Sequence, residues 1–175
     1  KIVAVGPVDS TPIPAGAEVR DVAGKVLMPG LVDSHSHIGG GGGVGADGSG
    51  PIQPEVRAMD GFDVGDASVA KARAGGITTV NVMPGSGHLV SGQTLYLKLR
   101  NARTVDEVLI LLPDGTPAGG LKMANGTNPR RDPPFPGTRG KSASLVRERF
   151  VAAQDYMAKV ARAKDDPEKR PARDL

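Results

Sequence analysis

Apolar residues come in short blocks separated by glycine and proline, and the spacing within each block predicts its element. Ile2-Val3-Ala4-Val5 stops at Gly6-Pro7, Glu18 to Val22 alternates polar with apolar positions, and Val26-Leu27-Met28 runs into Pro29-Gly30. These blocks predict short strands of a small β module over residues 1–29. A further strand opens at Gly30-Leu31-Val32 and continues through Asp33-Ser34-His35-Ser36-His37. Over residues 39–54 little remains but Gly, Ala, Asp, Ser and Pro, which predicts a long loop of the kind that binds or covers a ligand. Residues 64–74 have the spacing of a short helix, closed by Gly75-Gly76, and residues 77–83 are a β-branched strand stopped by Pro84-Gly85. Strand, loop, helix, strand is the βαβ order of a parallel sheet or barrel, so residues 30–175 are expected to form a second, α/β unit.

Beyond it the blocks weaken. Residues 86–91 predict a loop containing His88. Leu95, Leu97 and Leu99 alternate, which fits a strand or an irregular excursion, and residues 108–112 form a continuous apolar run expected to be buried. Residues 119–124 predict a short strand beside the loop 125–131. The longest amphipathic pattern covers residues 142–164. There Val146, Phe150, Ala153, Met157, Val160 and Ala161 make one helical stripe, with Ser142 as N-cap. Residues 165–175 predict a charged connector.

Composition changes this picture in three ways. At 175 residues the chain can bury a real core, but aromatics make up only 3%, so that core is aliphatic. The absence of Cys excludes disulfides and thiolate metal sites, leaving His, carboxylate or a modified Lys as ligands. The net charge of +3 is lopsided: residues 1–129 hold 10 Lys and Arg against 12 Asp and Glu, whereas residues 130–175 hold 12 against 7. Acids interleave with Arg130, Arg131, Arg139, Lys141, Arg147 and Arg149 and no stacking aromatics accompany them, so a solvated helix face is expected there and not a nucleic-acid surface. No apolar run is long enough to span a membrane. The chain starts inside a strand pattern and stops in a connector, which predicts a piece of a longer protein. Cytoplasm is the default location, and a signal peptide preceding Lys1 is compatible with the sequence.

The candidate chemistry lies in the strand 31–37. Side chains two apart on a strand share a face, so His35 and His37 aim at one spot, with Asp33 a step below and Ser34 and Ser36 opposite. Two neutral imidazoles converging on one point supply half of a metal site; two hydrogen-bonded polar residues on a strand are the other reading. The glycine run 39–43 lacks the spacing of a phosphate loop. His88, with Ser86, Ser91 and Gln93, is expected either to open on the same face and contact substrate or to be a surface residue of a flexible loop.

Lys25-Val26-Leu27-Met28-Pro29-Gly30-Leu31-Val32-Asp33-Ser34-His35-Ser36-His37 resembles the start of the barrel in the amidohydrolase superfamily, closest to its imidazolonepropionase- and prolidase-like branch. Gly75-Gly76-Ile77-Thr78-Thr79-Val80 resembles the second barrel strand, and the likeness covers most of residues 1–130. It implies a partial (β/α)8 TIM-type barrel over residues 30–175, preceded over residues 1–29 by the end of a small β-sandwich. It implies a hydrolase of carbon–nitrogen bonds in amides or cyclic amides, using one or two divalent metals, Zn2+ first among them. A small-molecule substrate is implied, and self-association when full length, but neither nucleic acid nor membrane. By the same resemblance His35 and His37 are the first two metal ligands and Asp33 lies behind them, orienting a ligand or supporting the strand. Lys122 is the candidate for the carboxylated lysine that bridges two metals in many members; a solvated or snorkelling lysine is the other reading. The family's two further histidines and its general-base aspartate have no counterpart here. The resemblance therefore puts the general base beyond Leu175, and implies that residues 1–175 alone are inactive. A mononuclear deaminase of the same superfamily and a non-catalytic metal-binding or interaction module are the alternatives.

Overall fold

The computed structural model describes residues 2–40, 47–164 and 166–172. The predicted glycine-rich loop therefore lies partly outside the described residues, at 41–46. So do position 165 and positions 173–175 of the predicted connector, Leu175 among them.

The chain forms a mixed α/β structure with two small sheets. The first contains β1 (Leu31–Ser36), β2 (Ile77–Val82) and β4 (Leu95–Lys98), in the order β1-β2-β4. β1 and β2 are parallel, joined through α1 (Ala67–Ala74), as the βαβ reading requires. Asp66 caps α1 by accepting a hydrogen bond from the Ser68 backbone N–H at 2.7 Å. Gly76, at φ 89°, ends it in a conformation that costs glycine nothing, and its carbonyl receives the Leu31 N–H at 2.9 Å. The helix end thus starts the strand that carries the histidines.

β4 runs antiparallel to β2, unlike an all-parallel barrel sheet, because residues 83–94 return the chain without a crossover helix. Val80 pairs with Leu97 and Val82 with Leu95, so all four side chains share one face. Together with Val69 of α1, Leu99 and Val108 they form the aliphatic core, on which Ile38, Met59 and Phe62 also pack.

The second sheet pairs β3 (Val90–Gln93) with β5 (Leu121–Met123), antiparallel. Backbone bonds from Thr94 N to Gly120 O (2.8 Å) and from Tyr96 N to Ala118 O (2.9 Å) carry this strand pairing on alongside β4. The two sheets are therefore tied through the backbone, and Lys122 of β5 comes opposite His35 near the end of β1.

Several expectations are corrected. Residues 2–30 form no strand; Val3, Val5, Val26 and Leu27 are all nearly fully exposed. A strand needs a neighbour for its N–H and C=O groups, and no described residue supplies one. The run 108–112 is buried at Val108 but emerges at Leu111 and Leu112, where the chain turns back at Pro113-Asp114-Gly115. The long helix, α2 (Arg139–Arg162), starts three residues early, capped by Thr138 and not by Ser142. Thr138 Oγ1 accepts from Lys141 N at 3.2 Å, and the buried Ser142 hydroxyl donates back to Thr138 O. The predicted stripe exists, yet Phe150 and Met157 on it are exposed, while Val146 faces the β3–β5 sheet and Val160 is half-buried. No described helix is long and apolar enough to cross a membrane.

Candidate metal centre

β1 delivers His35 and, one residue past its end, His37 to a common point. Their Nε2 atoms are 3.3 Å apart and the rings meet edge to face at 81°. His37 is fixed from behind: its Nδ1 lies 2.8 Å from the carbonyl oxygen of Met83, while the Met83 N–H donates to Ser36 O at 3.0 Å. A carbonyl only accepts, so Nδ1 carries the proton and Nε2 keeps its lone pair for the site. Met83 precedes Pro84, and proline holds the residue before it extended. Asp33 accepts the His35 backbone N–H at 3.1 Å, so its carboxylate supports the strand and not the ring.

Lys122 on β5 reaches the same point from the second sheet. Its Nζ is 3.3 Å from His35 Nε2 and 3.3 Å from Met83 Sδ. Its position is set by pairing with Gly92 of β3. Gly92 has φ 122°, and a Cβ there would collide with the Val56 carbonyl, so only glycine allows the close approach.

These contacts decide what the cluster can do. An ammonium has no lone pair and can only donate, so when it bonds His35 Nε2 both imidazoles turn lone pairs into one gap. A cation bound tetrahedrally at roughly 2.0–2.1 Å from each of two nitrogens holds them about 3.3–3.4 Å apart. The observed spacing fits that geometry. No group of three or more His, Cys, Asp or Glu side chains that could hold a metal occurs among the described residues. Among the described residues, Lys122 is the further side chain whose polar end reaches His35 Nε2. The general base expected beyond Leu175 lies outside the described residues, and no described carboxylate takes its place in the cluster.

His88 lies elsewhere in its contacts. It is 3% exposed, so the expectation of a surface residue in a flexible loop is overturned. Its ring packs on Phe135 at 5.4 Å between centroids, and Arg131 covers the Phe135 ring at 3.6 Å. Nε2 is buried without a hydrogen-bond partner among the described residues. Burial, then the Arg131 charge, pushes its pKa below the usual histidine value, against an opposing pull from the Asp47 backbone and carboxylate. Sequence reasoning missed the Met83 carbonyl and Gly92. A backbone acceptor has no residue signature of its own; Pro84 and the Ser91-Gly92 step were the only local signals.

No family model matches the chain. Its structure is similar to the crystal structure of an amidohydrolase from Thermotoga maritima, with a TM-score of 0.70 and 32% identity, over 93% of this chain and 45% of that one. It is 31% identical over 93 residues to an amidohydrolase from Hapsidospora irregularis and 38% identical over 84 residues to an allantoinase from Streptomyces avermitilis. It is 30% identical over 108 residues to a dihydroorotase from Ruminiclostridium cellulolyticum. The matches take in 49%, 48% and 62% of this chain but 10%, 15% and 22% of those relatives, so it spans less than a quarter of their length.

Proposed function

The chain belongs with the amidohydrolase superfamily, and from that premise we propose that it carries the first part of a metal centre for hydrolysing a carbon–nitrogen bond in an amide or cyclic amide. The observation that carries this reading is the convergence of His35 Nε2, His37 Nε2 and Lys122 Nζ, each step 3.3 Å, from two separate sheets. His35 and His37 are the metal ligands. Lys122 would join them after its neutral amine adds carbon dioxide and gives up a proton to solvent, which leaves a carbamate with an anionic oxygen donor beside His35. A bound Zn2+ supplies Lewis acidity that polarises the substrate carbonyl and makes water a better nucleophile. The Met83 carbonyl holds the proton on His37 Nδ1, and Asp33 holds the strand that presents both rings. His88, buried against Phe135, is given the role of positioning the loop before β3.

Residues 30–175 are on this reading the first part of a (β/α)8 barrel, with β1-α1-β2 as its opening unit. Residues 1–29 are the end of a β-sandwich, in keeping with apolar side chains exposed for want of partner strands. A binding module without turnover is the second reading for these 175 residues taken alone, since no carboxylate among those described joins the three nitrogens to serve as base. Calorimetric zinc titration tests the centre: binding near one equivalent or two, lost in His35→Ala and His37→Ala, is expected. A carbamate carbon signal after labelling with 13C-bicarbonate, lost in Lys122→Ala, tests the lysine. Zinc binding unaltered by both histidine variants would refute the assignment.

A further inference from the structure

A second feature abuts His37. His37, Met83 and Pro84 form one wall of a cleft whose other walls are Ile38, Ala58 and Phe62. It offers about 50 Å³ of room. A water needs roughly 10–15 Å³ on that measure, so three or four carbon-sized atoms fit. The surroundings are apolar except for Arg57, and the Arg57 guanidinium is taken up by Asp60, with Nε–Oδ2 at 2.9 Å and Nη2–Oδ1 at 2.7 Å. Among the described residues, no other ionisable side chain apart from His37 lines it.

The walls are also fixed in place. Gly39, two residues past His37, has φ 73°, and the Phe62 ring lies where its Cβ would be. Gly39 donates its N–H to Ser68 Oγ at 3.0 Å and accepts from Asp63 N at 2.7 Å. A larger residue at 39 would fill the space that Phe62 occupies, so the aromatic wall and the glycine depend on each other. Ile38 and Phe62 rest on the main core, which ties the cleft's shape to the packing of β2 and β4.

We propose that this cleft is the specificity pocket of the centre, and that it takes an uncharged, branched aliphatic substituent of three or four carbons next to the scissile amide. Its place beside His37 supports this, as does the Arg57–Asp60 pairing, which an anionic group would have to compete with for the guanidinium. The proposal rests on the metal reading above. A carboxylate in the same position would be desolvated against Phe62 and Ile38 and would share Arg57 with Asp60, so anionic substituents are disfavoured.

Hydroxamates, which bind zinc through their own oxygens, separate the two claims. Acetohydroxamate, 3-methylbutanohydroxamate and succinic monohydroxamate are titrated calorimetrically into the zinc-loaded full-length protein. Each CH2 moved out of water is worth about fourfold in affinity. The methylbutano compound should therefore bind at least tenfold tighter than acetohydroxamate, and the succinic compound no tighter. Ala58→Phe fills the cleft and should bring the first ratio close to one. Phe62→Ala enlarges it and should shift the optimum to a longer chain, which covers the case in which Ala58→Phe fails to fold. Equal affinities for the three compounds in the wild type, with zinc-dependent binding retained, overturn the pocket and leave the metal centre standing. Zinc-independent binding, or none, overturns both.

Discussion

Gly92→Ala is the substitution that most directly couples backbone geometry to the candidate centre. At φ 122° an L side chain is strained, which costs about 1–3 kcal/mol. The new Cβ also collides with the Val56 carbonyl, the acceptor of the 2.6 Å bond from Gln93 N. Losing that bond adds about 0.5–1.5 kcal/mol. The sum is about 1.5–4.5 kcal/mol, and because Gly92 is the register partner of Lys122, β5 should move with it. Gly115→Ala is the control. It too has positive φ, 84°, but nothing lies within 4 Å of its Cβ, and it sits in an exposed turn away from the histidines. Part of its strain, about 1–2 kcal/mol, is offset by the lower entropy of the unfolded chain, leaving under about 1.5 kcal/mol. Urea unfolding at constant m-value gives both numbers, and zinc titration gives the second readout. Gly92→Ala should lose at least 1 kcal/mol more than Gly115→Ala and bind zinc at least tenfold more weakly. Equal losses for the two variants, or unchanged zinc affinity in Gly92→Ala, would show that the close approach at Gly92 does not set the position of Lys122.

His37→Gln should weaken zinc by roughly a hundredfold or more, because it removes a ligand and the imidazole held by the Met83 carbonyl; direct metal analysis after dialysis reads this. His88 has a folded pKa below its unfolded value near 6.5, so the unfolded chain takes up the proton first as pH falls. The stability it contributes is therefore complete above about pH 6.5 and declines below it, and His88→Phe should flatten that part of a stability profile measured between pH 8 and about 5. Leu97→Ala, at a position with no solvent exposure in the β2–β4 core, should cost about 2–5 kcal/mol in the same denaturant assay. Thr138→Ala should cost about 1 kcal/mol by removing the α2 cap, whereas Thr138→Ser should restore most of it.

What the sequence revealed depends on the range of the interaction. The His35–His37 pair was legible because strand alternation is local, and the α1–β2 junction because Gly75-Gly76 marks it chemically. Lys122 was legible only as a lysine on a strand-like segment. Its approach to His35 across 87 positions depends on the β3–β5 register, which no local pattern encodes. His88 went astray for the same reason: a polar loop sequence predicts exposure, but Phe135 and Arg131, more than 40 residues away, bury it. The blocks in residues 2–28 show the converse. Their alternation is that of strands, yet pattern alone makes no sheet without a neighbour to pair with. The apolar cleft beside His37 arises from three separated segments and left no trace in the spacing of any one of them.

The three converging nitrogens come from β1, the residue just after it, and β5, and those strands lie in different sheets. An ion gripping both would act as a rivet, present only in the assembled form. Its occupancy would then add to the cohesion of the molecule by mass action, by about 2.7 kcal/mol when free ion stands a hundredfold above the dissociation constant. A chelator would then do more than silence chemistry: it would loosen one half of the architecture from the other, and melting temperature would become a gauge of metal supply.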